Sequence, residues 1–321
     1  MTRADRAFTH LLTGSALTGS VLALPLVITL FPGAFQQALH GYDAIAAICA
    51  AALYRIGVGL PPLGVLVLAL TSASLALGAL KAGQTLRRTR RVLALHRPMA
   101  TPPGLATAAR AAGLSDAVVC FADPRPSAYC RGLLRPEVWI SSGALSVLKP
   151  RELEAVLRHE AFHRRQRDPL RILLGRVLSQ LFFALPLIRL LAARFEVAKE
   201  LDADRTAVRA QGTIRHLASA LHALGRHPLP LVASEVAVGA WSLSRARVDQ
   251  LCGAPEEELL PVLSRRGRWL TGATLALALA LALGQAARAN LLPAAVVESL
   301  EPSMNSGDIH TCPLPTSGVL F

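Results

Sequence analysis

Arg158-His159-Glu160-Ala161-Phe162-His163 lies at the middle of the 321-residue chain. It has the form H-E-x-x-H. Two histidines four apart stand one above the other on a helix, so both imidazoles can reach one metal ion. Glu160 follows the first histidine, where its carboxylate can take a proton from metal-bound water. Together these residues specify zinc-dependent hydrolysis, provided they lie on a helix. The flanks satisfy that condition. Lys149-Pro150-Arg151-Glu152 opens a helix, with Pro150 suited to a first turn and Glu152 and Glu154 to its positive end. Leu153, Val156, Leu157 and Phe162 then form its apolar face.

A catalytic zinc site has three protein ligands and one open position. Glu196, Glu200, Asp202 and Asp204 are the candidates for the third. On a helix Glu200 and Asp204 share a face and Asp202 points elsewhere. The economical assignment puts Glu200 on the metal and Asp204 behind it, holding a ligand histidine by its other ring nitrogen. Asp168 can also hold a ligand histidine, but pairing with neighbouring arginines is the preferred reading. His216, His222, His227, Arg205 and Arg247 are open alternatives for a donor to the oxyanion.

The surroundings are not those of an ordinary soluble enzyme. Hydrophobic residues make up 52% and charged residues 17% of the chain, and Leu and Ala dominate over aromatics, which suits helices. The net charge of +13 would point to nucleic acid in a soluble protein. Here the arginines border apolar runs, where they orient a membrane protein. No phosphate loop, zinc-finger spacing or RNP motif supports direct nucleic-acid binding. Five cysteines without C-x-x-C make no disulfide framework, although Cys49 and Cys312 could pair outside the membrane. His310 with Cys312 reads as part of an ordinary tail.

Ala7 to Phe31 is long enough to cross a bilayer and is read as an uncleaved anchor. Pro32 to Arg55 reads as a loop or interfacial helix, and residues 42–60 are a weak candidate for an extra span. Ile56 to Leu80 is a second span, followed by Lys81, Arg87, Arg88, Arg90 and Arg91. With Arg3 and Arg6 these charges place both flanks in the cytoplasm. A third span at 265–287, with Arg265, Arg266 and Arg268 inside and Trp269 at the interface, leaves a tail at 288–321 outside.

Residues 96–264 then form the cytoplasmic peptidase domain, with several soluble helices at 205–264 broken at His227-Pro228-Leu229-Pro230. Strands at 117–121, 127–131 and 137–141 form a small antiparallel sheet, with a Gly-Leu-Leu-Arg-Pro turn between the last two. That sheet either offers an edge to extended substrate or simply covers the helix. The fold class is mainly α. Between the histidines and Glu200 lies an apolar segment, 172–193, containing Arg176 and Arg189. One crossing would put Glu200 on the wrong side and two need ~40 residues. The segment must therefore return to the side it left, bending at Pro186, as an interfacial or re-entrant element.

Arg125 to Ile140 (R-P-S-A-Y-C-R-G-L-L-R-P-E-V-W-I), followed by Glu152 to His163 (E-L-E-A-V-L-R-H-E-A-F-H), resembles the BlaR/MecR family of bacterial membrane zinc metallopeptidases. In that family G-L-x-R-P precedes E-L-x-A-V-L-x-H-E-x-x-H. Arg164 to Asp168 and Glu200 to Asp204 match its downstream pattern. The resemblance covers about 120–210 and implies a gluzincin-type peptidase with Zn2+ on His159, His163 and Glu200. It also implies a protein substrate, often a transcriptional repressor, cleaved in relay of an external signal. The residues after the last span are too few for the family's penicillin-binding-like sensor domain, so a partner sensor or a homodimer would supply the signal. The H-E-x-x-H…E-x-x-A-D order is also similar to that of membrane quality-control proteases. A non-catalytic scaffold is the remaining alternative, and the intact His159, Glu160, His163 and Glu200 argue against it.

Overall fold

The computed structural model describes residues 1–30, scattered positions between 65 and 87, and 97–183, 185–226, 244–255 and 258–281. The expected loop at 32–55, most of the span at 56–80, the break at 227–230 with His227, the tail at 288–321 and the Cys49–Cys312 pairing lie outside the described residues. The chain divides into two compact units, residues 1–21 with 66–276 and residues 22–65 with 277–321. The metal helix and its neighbours all belong to the first.

That helix, α4 (Pro150–Gln166), is preceded by α1 (Arg3–Leu30), β1 (Pro98–Met99), α2 (Pro103–Ala111), β2 (Val118–Phe121), β3 (Ala128–Arg131), β4 (Glu137–Ser141) and α3 (Ser142–Val147). It is followed by α5 (Asp168–Leu181), α6 (Pro186–Gln211), α7 (Arg215–Gly225) and α8 (Arg245–Leu251). α4 runs through the centre, packed by α2, α6, α7 and the sheet. Its start is closed by the Lys149 N–H donating to Glu152 Oε2 (2.9 Å), and Ser219 Oγ of α7 donates to Glu152 Oε1 (2.7 Å). Ala155, Val156, Leu157 and Ala161 bury the apolar face among Leu105, Val138, Ile140, Leu217 and Leu221. Burial on this scale, more than helix propensity, holds the helix in place.

The sheet is four-stranded and mixed, in the order β1-β2-β4-β3. This corrects the expected antiparallel sheet. β4 pairs antiparallel with β3 but parallel with β2, so residues 122–127 carry the chain past the end of β4 instead of turning back beside β2. The crossing is pinned by Ser141 Oγ, which donates to Arg125 O and accepts from the Ser127 and Ala144 N–H groups. The β3–β4 turn is the expected Gly-Leu-Leu-Arg-Pro. Gly132 sits at φ +101°, and a Cβ there would lie 2.6 Å from Arg135 O, so the turn requires glycine.

The apolar segment at 172–193 is divided between two helices, α5 and α6. α5 and α6 pack against each other, and Pro186 is the first residue of α6. α1 lies against this hairpin: Phe8 meets Phe195 at 5.1 Å between ring centroids, and Asp5 pairs with Arg171 at 2.9 Å. Gly14 and Gly175 allow the close approach, facing Leu191 and Leu11. The Arg3–Leu24 part of α1 is long and apolar enough to cross a membrane, the one such helix among the described residues. Residues 265–281 are also helical, and Trp269 is exposed.

Candidate metal centre

Each ligand candidate is placed by a different device. His159 and His163 are one turn apart on α4 and fully buried, their rings 4.7 Å apart edge to face. Glu200 comes from α6, which packs along α4. Its Oε2 lies 3.3 Å from His159 Nε2 and its Oε1 3.7 Å from His163 Nε2, while the two Nε2 atoms are 3.1 Å apart. The three groups form a set that could hold a metal. Ligands ~2.1 Å from a tetrahedral ion stand roughly 3.4 Å from one another, so the separations fit.

The outer nitrogens reinforce the fit. His163 Nδ1 lies 2.7 Å from Asp168 Oδ2, and His159 Nδ1 lies 2.8 Å from Asp204 Oδ1. Each carboxylate keeps the proton on Nδ1 and turns the Nε2 lone pair inward. The two inward nitrogens face each other in a dry interior, where a bound cation would take the place of the proton that His163 otherwise carries between them.

Asp168 corrects the sequence reading, which preferred arginine neighbours for it. Arg171 is 3.9 Å away, but the close partner is His163. The cause is Arg167, which ends α4 in the left-handed conformation at φ +54° and opens α5 in the next residue. The reversal turns Asp168 back over the last turn of α4. A non-glycine residue held this way costs roughly 1–3 kcal/mol, such as one finds at functional sites.

Of the other acidic candidates, Asp202 is buried and accepts the Ala4 N–H at 2.7 Å, capping α1. Glu196 is half exposed and lies 3.8 Å from Arg176. Asp204 is gripped at both oxygens by Arg247 of α8, at 2.7 and 2.5 Å, and Arg247 Nη1 is 3.7 Å from Glu200 Oε2. Among the described candidates for an oxyanion donor, Arg247 is the one that the fold brings to the centre, bound to Asp204 and 3.7 Å from Glu200. His216 neighbours Glu152 at the other end of α4, His222 is exposed and Arg205 stands near Arg3.

Charge sets the chemistry. Burial alone would raise the Glu200 carboxyl, but Lys199, His163 and His159 hold it well below the usual carboxylate range. Burial also opposes Asp204, and Arg247 and His159 bring it down. His163 is lowered by burial but raised more by Glu200 and Asp168, reaching about 9. Cys130 on β3, buried against Ala4, Ile172 and Phe195, has its thiol pushed up by burial, then by Glu160 and Asp168. It stays a neutral thiol. Glu160 is itself fully buried, on the helix that carries both histidines.

The family model described as BlaR1 peptidase M56 matches residues 65–227, just over half of the chain. The chain belongs to this family. The match contains α4, α5 and the ligand-bearing part of α6, so the chain is a peptidase of a metallopeptidase family, with a His/His/Glu group able to hold the metal. Arg247 lies beyond the matched residues and yet reaches the centre. Comparison with curated proteins finds no match for the chain.

Proposed function

We propose that this chain is a zinc metalloendopeptidase of the bacterial cytoplasmic membrane that cleaves a protein substrate on the cytoplasmic side, in regulated proteolysis. The observation that carries the reading is the inward pair of Nε2 atoms, with Glu200 beside them and a carboxylate behind each ring. His159, His163 and Glu200 would hold the ion. Bound there, zinc would polarise the scissile carbonyl and acidify a water. Glu160 accepts the proton of the attacking water and returns it to the leaving amine. The buried carboxylates keep the two rings in their ligating tautomer. β3 is the outer strand of the sheet beside α4, and Cys130 on it feels the charge of Glu160. An extended substrate strand laid along β3 would thus pass the centre.

The membrane reading is supported by the apolar face of α1, with Leu12, Leu17 and Val27 exposed, and by exposed Leu174 and Phe183 on the α5–α6 hairpin. A repressor is the substrate that the family resemblance favours, with a partner sensor or a second copy providing the signal. The test is Glu160→Gln, in purified protein and in cells. It should keep stoichiometric zinc, and one cleavage product should vanish from the proteome. Cleavage at the wild-type rate would overturn the mechanism. Many vanishing products would favour membrane-protein quality control.

A further inference from the structure

Two of the three ligands have a carboxylate behind them. The third, Glu200, is itself a carboxylate, so its outer partner must be a donor. Lys199, the residue before it on α6, fills that place: its side chain is 7% exposed and its Nζ donates to Glu200 Oε1. Among the described residues Glu200 is its acceptor. Arg247 is committed to Asp204 through two hydrogen bonds and stands further from Glu200, at 3.7 Å from Oε2. The two oxygens of Glu200 are therefore unequal. Oε2 is nearer a ligand nitrogen, at 3.3 Å, and Oε1 is engaged by the ammonium.

We propose that Lys199 is a positioning residue that makes Glu200 a one-oxygen ligand and, as a fixed cation beside the ion, weakens the protein's hold on it. This rests on the reading of His159, His163 and Glu200 as metal ligands. Two effects act in the same direction. In the stripped protein the ammonium is the nearest of the cations that neutralise the buried Glu200 carboxylate, with His163 and Arg247 each at 3.7 Å. In the loaded protein it repels the divalent cation and occupies an oxygen that could become a fourth ligand atom. A lysine that only packed and oriented Glu200 would do the opposite: its loss would misplace the ligand and weaken binding.

The sign of one affinity change separates the two. Wild type, Lys199→Met, Lys199→Gln and Lys199→Arg are stripped and titrated with Zn2+ against a chromophoric chelator. The Met and Gln variants should bind zinc about tenfold more tightly or better, as expected when a positive charge is removed beside a divalent cation. The Arg variant should stay near wild type. Thermal melts should show a wider gap between loaded and stripped forms in Met and Gln than in wild type. Equal or weaker binding in both, or failure of both to fold with zinc present, overturns the role of Lys199. Absence of zinc binding in the wild type instead overturns the metal reading itself.

Discussion

Asp168 provides the sharpest quantitative test of how the centre is built. Its Oδ2 lies 2.7 Å from His163 Nδ1, and both side chains are fully buried. Asp168→Ala leaves a buried Nδ1–H without its partner, which costs about 1–3 kcal/mol. It also frees the imidazole to place its proton on Nε2, the ligating nitrogen. Outer partners of ligand histidines are worth roughly 10–100-fold in metal affinity, or about 1.4–2.7 kcal/mol. Asp168→Asn keeps an acceptor but loses the charge, so it should fall between Ala and wild type. Zinc affinity is measured by chelator competition, with far-UV circular dichroism to check that α4 and α5 remain. The expected order is wild type, Asn, Ala, with Ala weaker by at least about tenfold. Ala binding within about twofold of wild type, helices intact, would refute the view that the αL reversal at Arg167 exists to place this carboxylate.

Three further outcomes follow from the same geometry. His163 is raised to about 9 in the metal-free site, so it binds protons more tightly folded than unfolded; its contribution should be full below the unfolded value of about 6.5 and disappear as pH rises through 9. Urea unfolding of stripped protein should therefore show this loss between pH 6.5 and 9, while zinc affinity rises over the same range as protons cease to compete. Arg247→Met removes the cation that grips buried Asp204 and should cost about 3–5 kcal/mol in urea unfolding, much more than removal of the exposed Arg245. Gly143→Ala would place a Cβ 2.2 Å from Pro124 O at the junction of β4 and α3, and should lower stability by about 3 kcal/mol or more, read as a thermal shift.

His159 and His163 were legible because a helix's period is local: four residues apart means one face, whatever the rest of the chain does. The Pro150 start, the Gly132 turn and the strand positions were legible for the same reason. Each rests on a local rule or a length. That Asp204 stands on the same side of its helix as Glu200, towards His159, was legible too, since residues four apart share a helix face. The order of the strands was not, because parallel pairing of β2 with β4 depends on where the 122–127 crossing is pinned. Asp168 looked like an arginine partner because its direction depends on one αL residue. Lys199 carries no signal in the sequence, because only the packing of α6 against α4 removes water from its pair with Glu200. Arg247 lies 43 residues beyond Asp204 and meets it only through the fold. The sequence alone determined which atoms could hold a metal, because that chemistry needs only helical spacing. The tertiary structure decided which charges stand behind those atoms, because desolvation and pairing depend on neighbours distant in the chain.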